Sequence, residues 1–407
     1  MQDSPEPMPV SRAAAASHHA IDYRLLAIVC AHALLTQIVY SMLRVTISYR
    51  VVELGLPVIW VGLITGASAV LPMLLAVTTG RFVDRGNDAL TARMGSIVIV
   101  LCCLGYRLTN AHVIELLAFT AVLGVGHMLL MVAQQMLCVR AAANDASRET
   151  AFGHYMVCTA LGQGGGPLIV GWLGGAQHIP PTRLLFGVAV VLALVAWIIS
   201  YWIDIKPATP TARTAQAPIV SLRALLQTRG VPTLMIASVI TVTAQDLIVI
   251  YLPILGAQRG IDVANVGTLL MLRSASAVVS RAFYPPMMRA VGRVPLTVGT
   301  MAAAALALTI VAIPVPLPVL YLAMLVTGFG LGIAATLSIS NMVDIVPPAA
   351  RGVALSLRIT GNRVGQVSLP VLAGIVATAA GAGGIFAIVA VGLAASAASV
   401  QVVRGNA

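Results

Sequence analysis

The chain has 407 residues, of which 59% are hydrophobic and only 9% charged, with a mean hydropathy of +0.96. A soluble domain carries about 25% charged residues, so this surface cannot face water throughout and a soluble fold is excluded. The net charge of +11 comes from 24 basic and 13 acidic residues with a single lysine, Lys206, and no basic stretch interleaved with aromatics, which excludes a nucleic-acid partner and points to membrane orientation instead.

A helix crosses the hydrocarbon with about 20 apolar residues. The residues before Asp22 are polar and Ala-rich, with no short apolar core ahead of a cleavage site, so they read as a cytoplasmic tail (1–22) rather than a leader. Twelve apolar runs follow, at 24–48, 57–79, 94–109, 112–139, 150–174, 183–203, 231–256, 263–283, 295–314, 318–345, 352–378 and 384–403. No run alternates polar and apolar residues as a strand would, and backbone groups in lipid must be satisfied within the segment, so helices are expected. The expectation is an all-α membrane protein of twelve helices in two six-helix bundles, 23–203 and 231–403, joined by a Pro/Thr/Ala-rich cytoplasmic linker over 204–230. A four-residue tail, 404–407, ends the chain. Ser221 to Gln227 reads as a short surface helix within the linker.

With the N-terminus inside, sixteen basic residues fall in the cytoplasmic segments and four (Arg50, Arg107, Arg183 and Arg259) in the opposite loops. That bias predicts that both termini are cytoplasmic. Cys30, Cys102, Cys103, Cys138 and Cys158 all lie in apolar runs without metal-ligand spacing. They read as small buried hydrophobes, so neither a metal nor a cofactor is expected.

Taken in chain order, the first polar interruption is GRFVDRGNDALTARMG, Gly80 to Gly95, between spans 2 and 3. Its Gly80, Asp84 and Arg85 resemble the signature loop of the major facilitator superfamily, Gly-x-x-x-Asp-Arg-x-Gly-Arg, although the final Gly-Arg is not kept. A weaker counterpart, SRAFYPPMMRAVGR from Ser280 to Arg293, follows the second span of the other half, as an internal repeat predicts. Span 5 carries GQGGGPLIVGWLGG, in which Gly162, Gly166, Pro167 and Gly171 resemble the Gly-Pro motif of the superfamily's proton-coupled exporters with one extra residue. Glycines let two backbones approach closely and the proline bends the span. The motif therefore reads either as plain helix packing or as a pliable contact for rocking. RGVALSLRITGNRVGQ, Arg351 to Gln366, resembles span 11 of many bacterial members. One exporter feature is missing: TAVLGVGHML puts Thr120 where many exporters place an arginine in span 4.

The resemblance implies a multi-pass protein of the bacterial inner membrane, monomeric, whose partners are a small-molecule substrate, protons and the lipid bilayer. It also implies a cytoplasmic gate in which Asp84 and Arg85 latch onto neighbouring helix ends, with Asp84 reaching the start of span 11 near Arg351. In that fold spans 1, 4, 7 and 10 line a central cavity, flanked by 2, 5, 8 and 11.

Ionisable residues inside a span cost several kcal/mol and mark pathways or pairs. Arg44, Asp246, Arg273, Arg358 and Arg363 qualify, with His127 and Asp344 as weaker cases. By helical rise, Asp246 and Arg273 lie at comparable depth and in reach of each other. Asp246 reads either as half of a structural pair or as a proton-binding carboxylate, with His127 the second proton-coupling candidate. Arg44 reads as near the outer end of span 1, where snorkelling also accounts for it. Gln37, Gln134, Gln163, Gln245, Asn341 and Asn362 complete the substrate-cavity candidates, joined by Gln135 and Gln366.

No HExxH, GxSxG or phosphate-binding loop is present, so an enzyme and ATP drive are not expected. A secondary transporter working by alternating access, with proton-coupled export of a small organic molecule, is the first reading. A proton-coupled carrier, importing or exporting an anionic metabolite or siderophore-like chelate, is the second. A receptor with a transporter fold is the third.

Overall fold

The computed structural model describes residues 21–109, 112–142, 144–203, 222–228, 230–347 and 350–405. Most of the expected N-terminal tail and linker, and the last two residues, lie outside these. The elements are α1 (Tyr23–Glu53), α2 (Ile59–Asp84), α3 (Asp88–Leu108), α4 (Val113–Arg140), α5 (Asp145–Gly174), α6 (Thr182–Ser200), α7 (Leu222–Gln227), α8 (Val231–Gln258), α9 (Val263–Val291), α10 (Arg293–Ala312), α11 (Leu317–Ile345) and α12 (Arg351–Gly405). Among the described residues, eleven of these helices are long and apolar enough to cross a membrane.

The helices start and stop where the chain meets polar groups. Asp22 caps α1 by accepting from the Leu25 amide at 3.0 Å, and Asn144 caps α5 through the Ser147 amide at 2.8 Å. The interruption at Gly80–Gly95 is mostly helical. α2 runs to Asp84 and α3 starts at Asp88, six residues before the expected edge of span 3. Only three residues turn the chain, with Gly86 at φ 90°, while Asp88 sits at the positive N-terminal end of α3.

The last two expected spans form one 55-residue element, α12. At about 1.5 Å per residue it is more than twice as long as the hydrocarbon is thick. Gly381 breaks it at φ 69°, ψ 177°, a backbone state open to glycine. The amide of Ala382 then meets Gln258 Oε1 at 3.3 Å, so the break sits beside the end of α8.

α1 packs on α5 and α6, α4 on α2 and α3, and α3 on α6. In the second half α12 packs on α8 and α10, and α11 on α9 and α10. The main contacts between the halves are α5 with α9, α12 with α2, and α1 with α8. Large apolar side chains cover the outside, including Leu108, Ile114, Trp172 and Val391, as a lipid-facing surface requires. The five cysteines are free thiols, four of them buried.

Candidate functional site

α1 and α8 present the same stripe to the middle of the molecule. Gln37, Tyr40, Ser41 and Arg44 on α1, and Val242, Gln245, Asp246 and Val249 on α8, recur at i, i+3, i+4 and i+7 and so share one face of each helix. α4 adds His127, Met131 and Gln135, α5 adds Gln163, α9 adds Arg273, and α12 adds Arg363 and Gln366. Together they enclose a cavity of about 390 Å³, the size of a small organic ligand's pocket.

An ion pair crosses this cavity. Arg44 Nη1 donates to Asp246 Oδ1 at 2.7 Å, and Gln366 Nε2 donates to Asp246 Oδ2 at 2.9 Å. Arg363 Nη1 donates in turn to Gln366 Oε1 at 3.0 Å. Both carboxylate oxygens are therefore engaged, one from each half. Tyr40 and His127 stack with ring centroids 3.7 Å apart and planes 6° apart, and the Arg44 guanidinium stands 5.9 Å from the Tyr40 ring centre. Arg273 is 5% exposed; its Nη2 reaches Ser274 Oγ at 3.3 Å, while its Nε finds no hydrogen-bond partner among the described residues. Three guanidinium groups thus face one carboxylate, an excess of positive charge aimed at the cavity.

Two expectations need correction. Asp246 pairs with Arg44 rather than Arg273: depth along a helix does not fix which way a side chain points, and the Asp246 face of α8 meets α1. Arg44 is not at an interface either. α1 continues to Glu53, so Arg44 lies a further turn and more inside the helix, on the cavity wall.

Gln37, Gln163, Gln245, Arg273, His127 and Arg363 line this cavity, but four candidates sit elsewhere. Gln134 donates to His32 Nδ1 and Thr36 Oγ1, both at 3.1 Å, inside the first half. Asn341 donates to Thr297 Oγ1 at 3.1 Å against α10. Arg358 Nε reaches Ser338 Oγ at 3.0 Å on α11, and Asn362 accepts from Ser238 Oγ at 3.0 Å on α8. Each satisfies a buried polar group within its own half. Tyr40 was not among the candidates; its place one turn before Arg44 was the available signal.

The halves close on each other at the end of the molecule away from the linker. A Cβ on Gly62 or Gly66 of α2 would run into the Pro370 or Val367 carbonyl of α12. Gly171 of α5 likewise meets Gly267 of α9, which also lies against the Pro167 carbonyl. The backbone continues the seam, with the Val263 amide donating to Gln177 O at 2.8 Å and the Ala264 amide to Gly175 O at 3.0 Å. Gly162 and Gly166 face α1 instead, where a Cβ would meet the carbonyls of Leu34 and Ile38.

At the linker end, Gly80 has open space around it, and Asp84 and Arg85 are exposed. Asp84 takes part in no ion pair among the described residues, and Arg351 Nε bonds the Val343 carbonyl at 3.2 Å. The expected contact between Asp84 and the start of span 11 near Arg351 is thus not made in this structure. The tied carboxylate of this region is Asp88, 1% exposed, which accepts from Arg140 Nη2 at 2.9 Å. Asp344 pairs with Arg293 across the ends of α11 and α10.

Solved structures share this arrangement. A bacterial homologue of the human lysosomal transporter Spinster, inward-facing and occupied, aligns with a TM-score of 0.75 at 16% identity, covering 96% of this chain and 98% of its own. The nucleoside transporter NupG aligns at 0.77 and 12%, covering 93% and 99%. The human organic anion transporter MFSD10 aligns at 0.62 and 15%, covering 93% and 99%. No curated protein matches by sequence. The family model described as Major Facilitator Superfamily matches residues 29–316 and 234–404. The chain belongs to that superfamily and is a multi-pass membrane transporter, not an enzyme.

Proposed function

We propose that the protein is a twelve-span alternating-access carrier that moves a small organic anion together with a proton. The Arg44–Asp246 pair across the cavity carries this reading. The break at Gly381 supports reading α12 as two spans, and the 16-to-4 bias of basic residues supports a cytoplasmic linker and cytoplasmic termini. With the seam closed at the opposite end, the conformation faces inward.

The charge arithmetic favours an anion travelling with its proton. The cavity holds Arg44, Arg273 and Arg363 against Asp246, a net charge of +2. A monovalent anion that displaces Asp246 from Arg44 leaves a carboxylate without its counter-ion in a confined site, and that carboxylate takes up a proton. Anion plus proton restores +2. Each ligand then strengthens the binding of the other, and this reciprocity is what co-transport needs. Exchange, the expected export mechanism, requires the two to compete. The flat wall of Tyr40 and His127 and the thioether of Met131 accept an apolar or aromatic body.

The test is uptake into proteoliposomes from a panel of anionic, neutral and cationic compounds of similar size. An external pH below the internal one should drive accumulation of an anion and of no cation. Anion movement opposite to the proton gradient would instead establish an exporter working by exchange.

A further inference from the structure

Four arginines lie at the end of the molecule opposite the linker, and two of them are satisfied by the protein. Arg50 bonds Glu53 at 3.0 Å. Arg259 donates to the carbonyls of Val311, Ala312 and Ile313 and so caps α10. Arg107 and Arg183 have neither an ion pair nor a side-chain hydrogen bond among the described residues.

Those two meet in one place. Arg183 and Gly187 are one turn apart on the same face of α6. A Cβ on Gly187 would lie 3.5 Å from Arg107 Nε, so the Arg107 side chain from α3 crosses α6 where glycine leaves room. Both arginines line a single groove of about 420 Å³, whose remaining walls are Leu184, Gly187, Val188 and Val191. Leu184 and Val191 are 51% and 60% exposed, on the outer surface of the bundle. Nearby acids are occupied: Glu53 by Arg50 and Thr182, and Glu115 by the His112 amide at 2.9 Å.

Two like charges held together at the end of a membrane span, without a carboxylate between them, call for an anion. Below them the groove runs along α6 into the hydrocarbon, lined by leucine and valine. A soluble phosphate would have no use for that apolar wall. We propose that Arg107 and Arg183 bind the phosphate of an anionic phospholipid, with one acyl chain lying along Leu184, Val188 and Val191. Guanidinium groups fit phosphate oxygens in a bidentate manner, and the groove supplies the chain contact that separates a lipid from an ion.

The test is native mass spectrometry of the full-length protein in detergent with added phosphatidylglycerol, phosphatidylcholine or glycerol 3-phosphate. The wild type should retain phosphatidylglycerol in preference to phosphatidylcholine, and glycerol 3-phosphate should not displace it. Each arginine contributes roughly a factor of five near an anionic headgroup, so R107Q/R183Q should bind phosphatidylglycerol about thirtyfold more weakly. R107K/R183K should keep part of the preference. Equal retention of the two lipids by the wild type would overturn the proposal without reference to any variant's folding. Displacement by glycerol 3-phosphate would also overturn it, because the site would then take a soluble phosphate.

Discussion

Arg44 on α1 and Asp246 on α8 are joined at 2.7 Å, and this ion pair is a contact between the two halves of the molecule. Their side chains are 18% and 21% exposed, so water reaches the pair and a ligand in the cavity can too. In the proposed mechanism, opening it exchanges a contact within the protein for a contact with substrate. The same two residues can therefore hold the halves together and report that the cavity is filled.

Arg273 should bind substrate without tying the halves together. Its buried guanidinium has a free Nε and one neighbouring hydroxyl. A charge-assisted hydrogen bond is worth about 1.5–3 kcal/mol, so Arg273→Gln should raise KM for the anion roughly tenfold to a hundredfold. Transport at saturating substrate should change far less. An unchanged KM in proteoliposome uptake would place the substrate elsewhere in the cavity.

The glycine seam should set the conformational equilibrium. Gly267→Leu puts a side chain against Gly171 and the Pro167 carbonyl, an overlap costing about 1–3 kcal/mol. That cost falls on the closed seam alone, so the outward-open state gains. Spin labels at positions 57 and 379, on the α2 and α12 sides of the seam, should move apart. Distances equal to those of the unsubstituted protein would show that the seam has slack.

Asp84 is exposed at the linker end and takes part in no ion pair among the described residues. The proposed latch forms only when that end closes, so Asp84→Asn should leave folding intact and lengthen the mean distance between labels at 81 and 356. An unchanged distance distribution would remove Asp84 from the gate.

Asp88 and Arg140 should matter for stability rather than transport. The Asp88 carboxylate is 1% exposed, and removing one member of a buried pair costs about 3–5 kcal/mol. Arg140→Ala should lower the thermal midpoint clearly, while Asp88→Asn, which keeps a hydrogen-bonding side chain, should lower it less. A midpoint unaffected by Arg140→Ala would mean that water replaces the pair.

Much of this was legible in the sequence because lipid imposes strict rules. Long apolar runs had to become helices, and Gly162, Gly166 and Gly171 had to mark close approaches. Azimuth was not legible. Gln134, Asn341, Arg358 and Asn362 sit on the right helices but turn toward Thr36, Thr297, Ser338 and Ser238. In a helix nearly apolar all round, the apolar pattern gives little indication of which face meets the cavity. The same lack of phase led to Arg273 as the expected partner of Asp246. The stripe shared by α1 and α8 was visible as Gln37–Arg44 and Gln245–Asp246, but only the three-dimensional pairing reveals that the two stripes face each other.

The proposed site of the transported proton is Asp246, and Asp246→Asn in proteoliposomes with an imposed pH gradient separates substrate exchange from proton-driven accumulation. Asparagine keeps the shape and one acceptor of the protonated acid but cannot release a proton. Labelled substrate should still exchange across the membrane at equal concentrations, while accumulation driven by the pH gradient should be lost. A mutant that concentrates substrate as the wild type does would place the proton on another group or deny the carrier proton drive altogether.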